Sequence, residues 1–363
     1  MMGIDDAIRS KVYITIVGLS SAMTILSGEV WNDDSFEDGY VVLEDGIVTE
    51  VVYGDCPHHA DITGCILPGI VDGHTHVGDS GLKLDRKYGL EELVAPPDGL
   101  KHRYLRETPK EKIAADMKEY TSRLISNGIS RFIDFREGGI EGSRMLREAC
   151  PSAVILGRPI SPEYDANEME TLLQIADGIG IPSISDMPHG YIDNIADIVR
   201  RKKKKLAIHV SERVREDIDY VMSLEPDFIV HMVKADESDM RRCADKGVPI
   251  VVCTSSNQYF GATPPIKKMI DSGVEVSLGT DNAMLSPSAD IFEEFSAFWS
   301  VLSSQGGSRN DAFRSLVAHG CNLLYGSSLI EAQTGRRADL IVFPANSDSV
   351  LRGECPKPIR YGP

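Results

Sequence analysis

The chain is short of basic residues. Its 38 lysines and arginines face 55 aspartates and glutamates, leaving a formal net charge of −17. Nucleic acid polymers and anionic membranes select a broad basic face, so both are excluded as expected partners. A small anionic substrate is not excluded, because a local basic site can coexist with an acidic surface. The seven cysteines are scattered, odd in number and without CxxC spacing, which argues for reduced thiols and a cytoplasmic setting rather than a disulfide framework. No run of 18 apolar residues occurs, so no membrane span is expected. The nearest imitation of a targeting segment is VYITIVGLSSAMTILS (12–27), which follows Arg9 and Lys11. Thr, Gly and Ser interrupt it and Asp5 and Asp6 occupy the region a signal peptide keeps positive, so it reads as two short strands.

What the chain has is length and a change of pattern. At 363 residues and 42% hydrophobic, it can bury a core large enough to fold without disulfides or a structural metal, as one large domain or a large domain with a satellite. The first sixty or so residues carry β-branched runs (VYITIVG, GYVVLEDG, IVTEVVYG) separated by Gly, Asp and Asn, the pattern of hairpins. From about residue 66, short apolar runs alternate with amphipathic stretches, as in βα units. Eight such runs lie at 66–76, 130–135, 153–158, 178–185, 205–210, 227–232, 248–254 and 275–280. Eight is the number that closes a parallel (β/α)8 barrel of the TIM type. GRRADLIVFP (335–344) reads as one more strand, similar in character to the N-terminal runs. The expected organisation is a barrel over 66–327 beside a small β-sandwich made from both chain ends, 1–65 and 328–363. The basic run Arg200–Lys205 falls between a helix and the fifth strand, on the bottom of such a barrel, and reads as a solvated face.

Polar residues interrupt the apolar runs at particular places. His74 and His76 end the first run, His209 and Glu212 follow the fifth, His231 ends the sixth, and Asp281 follows the eighth. Positions i and i+2 of a strand share a face, so His74 and His76 can chelate one ion. Each residue alone could equally be a core histidine on a backbone carbonyl, or an aspartate capping the next helix. Four of the nine histidines and a carboxylate at the C-terminal ends of barrel strands, where barrel enzymes keep their active sites, together read as a metal centre.

The segments LPGIVDGHTH, IHVSE, IVHM, VVCTSSN and LGTDN resemble the successive strand-end motifs of the amidohydrolase superfamily. The HxxE and TDN forms are similar to its deaminase branch: cytosine deaminase, the S-adenosylhomocysteine, methylthioadenosine and adenosine deaminases, and the related chlorohydrolases. The resemblance runs from about residue 37 to 345, with GRRADLIVF similar to the family's closing strand. It implies that His74, His76, His209 and Asp281 hold one divalent ion, zinc first and iron as the alternative. It implies that Glu212 shuttles the proton, that His231 hydrogen-bonds the metal-bound hydroxide, and that Asp281 accepts the proton released. Binuclear members carry a lysine at the fourth strand; here that strand reads GIGIPSISDM, so one metal is implied. The implied reaction is hydrolytic deamination of a nucleoside-like or nucleobase-like heterocycle. Cyclic amide hydrolysis or dechlorination by the same site is the alternative, and a non-catalytic metal-binding protein is disfavoured by Glu212. Homo-oligomers are common in the family, although no feature of this sequence requires one.

The substrate contacts are less defined. Arg158, at the end of the third strand, matches an arginine that relatives use on ribose or a carboxylate, or it forms a rim ion pair. Arg136 reads either as a substrate contact or as a partner of Glu137. In the 93–107 loop, Lys101 and His102 either meet an anionic group or begin a solvated helix. Asn257 matches the asparagine of the family's PxSN motif, a loop-shaping residue, but Cys253 and Thr254 precede Ser255 where relatives have proline. A histidine used near the sugar by nucleoside deaminases is replaced by Ser183 and Ser185, and His189 comes several residues late.

Overall fold

A computed structural model describes residues 23–325 and 328–362. The expected strand content of 12–22 therefore lies outside the described residues. Both chain ends contribute to one six-stranded mixed sheet. Its N-terminal members are β1 (Met23–Trp31), β2 (Phe36–Glu44), β3 (Ile47–Tyr53) and β4 (Ile62–Pro68). The β2–β3 hairpin turns at Asp45-Gly46, both at positive φ (51° and 74°), the backbone that a two-residue hairpin turn demands and that an Asp-Gly pair tolerates. Among the described residues the chain ends make this one sheet, and a second sheet facing it is not found.

Eight further runs form the parallel ladder. They are β5 (Ile70–His76), β6 (Ile129–Arg136), β7 (Val154–Gly157), β8 (Gly178–Ile181), β9 (Lys205–Val210), β10 (Phe228–His231), β11 (Ile250–Val252), and a final run split into β12 (Val276–Leu278) and β13 (Asp281–Asn282). Each pairs in parallel with its neighbour, and β13 pairs back onto β5 at Thr75 and His76. The ladder thus returns to its start, as a TIM-type barrel requires. All eight expected runs became these strands. Near the C-terminus, β14 (Leu340–Phe343) joins β4 antiparallel and β15 (Ile359–Tyr361) completes the first sheet.

Two cores result. One fills the barrel interior with Ile133, Phe135, Leu156, Ala207, Phe228, Val230, Val251 and Cys253. The other, much larger, lies between the strands, the surrounding helices and the terminal sheet. The interior core is a floor, and the polar strand ends are carried above it. The basic run 200–205 meets Asp197, Glu225, Glu170 and Asp227 at the surface, as a solvated face should. Among the described residues no helix is long and apolar enough to cross a membrane.

Candidate metal centre and active site

Strand alternation delivers the first pair. His74 and His76 lie on β5, both buried, with ring centroids 4.8 Å apart, while Thr75 between them donates outward to Asp134 at 3.0 Å. From across the barrel, His209 brings its Nε2 to 3.2 Å from His74 Nε2. Asp281 Oδ1 lies 3.3 Å from His74 Nε2 and 3.6 Å from His76 Nε2. The ligand atoms of His74, His76 and His209, and those of His74, His231 and Asp281, form groups compact enough to hold a metal ion.

The orientation of the rings follows from what lies behind them. His76 Nδ1 is 2.9 Å from the Phe135 carbonyl and His209 Nδ1 is 2.9 Å from the Ile181 carbonyl. A carbonyl only accepts, so each Nδ1 carries the proton and each Nε2 offers a lone pair toward the centre. Phe135 packs edge-on to His74 and His209, at 4.4 and 4.8 Å between centroids, and fills the space beneath them. Asp281 is fixed by Ser256, whose Oγ donates to its Oδ2 at 2.5 Å. Asp72 braces the ends of β5 and the last run together, accepting from Thr280 Oγ1 at 2.7 Å and from Thr280 N at 3.1 Å.

Backbone strain collects at the same place. His231 and Asp281 have φ of 79° and 59°, and Ser211 and Met232 are at 52° and 55°. Non-glycine residues in this region are held there only by their surroundings, most often at functional sites.

The electrostatics suit a site that holds a cation. Burial lowers the His74 imidazole to about 3 and His209 well below its ordinary value, with neighbouring imidazoles adding to the effect at His209. Both rings are therefore neutral and able to ligate. Burial would raise Asp281, but the hydrogen bond and charge of His74, with His231 and His76, carry it well below the carboxylate range. Glu212 moves the other way, raised chiefly by burial, with His231 opposing. Its Oε2 stands 3.8 Å from His231 Nε2. Behind His231, Asn257 Nδ2 is 3.4 Å from Nδ1.

One cavity joins these groups. His76, His209, Glu212, His231 and Asp281 line it together with Lys101, His102 and Arg158. A second hollow shares Leu90, Glu212 and Arg213 with it and is further bounded by Lys234, Asn257 and Phe260. The Arg158 Nε is buried with no hydrogen-bond partner among the described residues. Lys101 is buried, its Nζ 2.7 Å from Glu137 Oε1 and 2.9 Å from Asn282 Oδ1, so the helix it begins (Leu100–Glu107) is not solvated at that position. His102 Nε2 faces the Val94 carbonyl at 3.1 Å, and burial lowers this imidazole to about 4. Arg136 is fully buried, donating from Nε to the Gly142 carbonyl at 3.2 Å, with Nη1 3.5 Å from Glu137. Ser183 and Ser185 both donate to Glu216, and His189 stacks on Tyr220.

Four participants were not singled out from sequence. Phe135 and Asp72 read as ordinary members of apolar strands. Ser256 was legible only as part of TSSN. Glu137 reads from sequence only as a neighbour for Arg136, yet its Oε1 is 2.9 Å from His76 Nδ1.

Residues 65–356 match the amidohydrolase family. The chain belongs to that family. It is similar to an uncharacterized protein of Methanocaldococcus jannaschii, 30% identical over 292 residues, covering 72% of this chain and 75% of the relative. It is also similar to the 5-methylthioadenosine/S-adenosylhomocysteine deaminase of Bacillus cytotoxicus, 24% identical, covering 72% and 69% of the two chains. Among solved structures, the zinc-bound adenosine deaminase of Xanthomonas campestris superposes with a TM-score of 0.72 at 14% identity, over 88% of this chain and 84% of the other. That likeness speaks for the fold.

Proposed function

We propose that the chain is a mononuclear metal-dependent aminohydrolase that removes an amino group from an aminated heterocycle of the nucleoside or nucleobase kind. The observation that carries this reading is the convergence of the His74, His76 and His209 imidazoles with the Asp281 carboxylate, beside a cavity that a second, partly exposed carboxyl at Glu212 also lines. The donor set fits a divalent ion. Two buried Nε2 atoms face each other at 3.2 Å, their Nδ1 protons are committed or burial has made the rings neutral, and a carboxylate oxygen adjoins. His74, His76, His209 and Asp281 would hold the ion. Zinc is the first choice for three nitrogens and one oxygen, and iron the alternative. Bound there, it would supply a water whose proton is lost near neutral pH.

The remaining chemistry belongs to the chain. Glu212, whose carboxyl burial shifts toward the protonated form, would deliver a proton to a ring nitrogen, which makes the adjacent amidine carbon electrophilic. His231, within 3.8 Å of Glu212, faces the same carbon and stabilises charge developing on it. Asp281 receives the proton shed on that side and passes it to the departing amine, which leaves as ammonia as the carbon–nitrogen bond breaks, and the hydroxyl proton left on the carbon returns to Glu212. Arg158, with an unpaired buried Nε, is the best-placed cation for a polar substituent on the substrate, with His102 beside it. Asn257 holds His231 in place.

The small molecule is the only partner this reading needs, and a homo-oligomer is compatible with it. Seven unpaired cysteines support action in a reducing cytoplasm. We further divide the chain into a barrel over 66–327 and a composite β domain from 1–65 and 328–363. The test is ammonia release by zinc-loaded protein from adenosine, deoxyadenosine, methylthioadenosine, cytosine and guanine derivatives. Ring opening or halide release without ammonia would instead favour cyclic amide or halogenated substrates.

A further inference from the structure

We propose that Glu137 and Lys101 are positioning residues: Glu137 holds His76 in its metal-binding orientation, and Lys101 holds Glu137 while fastening the Leu100–Glu107 helix over the site. The inference rests on the reading of His76 as a ligand.

The geometry is a chain of buried contacts. Glu137 Oε1 lies 2.9 Å from His76 Nδ1 and 2.7 Å from Lys101 Nζ. All three side chains are nearly inaccessible, with relative exposures of 5% (His76), 6% (Glu137) and 3% (Lys101). The His76 Nδ1 proton goes to the Phe135 carbonyl, the Glu137 carboxylate stands 2.9 Å from the same nitrogen as an ion-pair neighbour, and Nε2 is left toward the centre. A carboxylate behind a ligating histidine fixes its ring and raises its basicity. Glu137 is itself pinned at both oxygens, since Arg136 Nη1 approaches Oε2 at 3.5 Å. Arg136 can lie there because residue 78 is glycine; a Cβ at that position would fall 1.7 Å from Nη1.

Lys101 reaches further than one ion pair. Its ammonium also donates to Asn282 Oδ1 at 2.9 Å and lies 3.6 Å from Asp79 Oδ2. Asn282 follows Asp281 directly and is in register with His76 across the barrel closure. One side chain from the long segment after β5 therefore ties together the ends of three strands that carry proposed ligands or their neighbours. An ion pair serving stability alone has no reason to share its acceptor oxygen with a ligand histidine, and a buried pair is in general no better for stability than apolar residues of the same shape.

The experiment uses the full-length protein stripped of metal and titrated with zinc alone against a chromogenic chelator. Wild type is compared with Glu137→Gln, Lys101→Met, the combined Lys101→Met/Glu137→Gln and, as a control, Lys110→Met at an exposed pair. Each single variant is expected to bind zinc about 10- to 100-fold more weakly, with the control unchanged. The combined variant keeps the shapes while removing both charges, so it serves should a single variant fail to fold; its loss should be close to that of one single variant, not the product of two. Amide exchange of the Leu100–Glu107 helix should speed up in Lys101→Met. Wild-type zinc affinity in the folded variants, or no zinc binding by the wild type, overturns the proposal, and unchanged exchange overturns the fastening role of Lys101. Weakened zinc binding with no ammonia from any substrate sinks the deaminase reading alone and leaves this one standing.

Discussion

His74 and His209 face each other across the barrel with their Nε2 atoms 3.2 Å apart. They come from opposite sides of the ladder, and burial keeps both rings neutral. Among the described residues nothing accepts from His74 Nδ1, so that nitrogen is free to carry the proton, and a cation between the rings would then take a lone pair from each Nε2. Zinc at about 100 times its dissociation constant should stabilise the folded chain by about 2.7 kcal/mol. His74→Ala and His209→Ala should lose that gain, as thermal unfolding with and without zinc would reveal. An equal gain in both variants places the ion elsewhere.

Glu212→Gln separates acid from ligand. The glutamine preserves the shape beside His231 but has no proton to give, so kcat for ammonia release should fall by about 10²- to 10⁴-fold. Zinc affinity should stay at the wild-type value, because Glu212 is outside the proposed ligand set. Unchanged turnover would remove Glu212 from the mechanism.

The floor beneath the imidazoles is equally specific. A Cβ added at Gly180 would lie 2.4 Å from Cδ1 of Phe135, and that ring packs on His74 and His209. Gly180→Ala should cost about 1–3 kcal/mol by overpacking and weaken zinc binding as the ring shifts. Phe135→Leu in the same chain should recover part of both losses. Zinc titration and thermal unfolding of the three variants check this; full affinity in Gly180→Ala would mean that the floor does not set the rings.

How much of this was legible from sequence depends on whether a residue acts along its own strand or across the fold. Alternation alone put His74 and His76 on one face, and the strand-end positions of His209, His231 and Asp281 followed from eight apolar runs. The final strand was legible as one run, but its break at Gly279-Thr280 was not, because the brace that organises it is Asp72 on the first barrel strand. Glu137 looked local to Arg136, since nothing in FREGG reveals a histidine behind it. Lys101 lies in a segment whose helical start looked solvated, and only the closure of that segment onto Asn282 shows that it is buried.

Glu294 gives a stability prediction outside the proposed chemistry. Its buried carboxyl accepts from Thr254 N at 2.5 Å and Ser255 N at 3.1 Å. Burial outweighs these bonds and raises it from 4.5 to about 7. The folded chain therefore favours the protonated form. Its contribution is fully present below about pH 4.5 and is lost as pH rises through about 7. Glu294→Gln has no such proton to lose, so its stability relative to wild type should improve by up to about 3 kcal/mol across that window. Denaturant unfolding at pH 5 and pH 8 is the check, and a pH-independent difference would show that Glu294 is ionised throughout.

The most direct measurement is ammonia release by the zinc-loaded chain across the adenosine, methylthioadenosine, cytosine and guanine panel, run beside Glu212→Gln. The account predicts stoichiometric ammonia from at least one aminated heterocycle in the wild type, and about 10²-fold less or lower in the variant. No ammonia from any member of the panel by a chain shown to hold its metal, or equal release by both proteins, would contradict it.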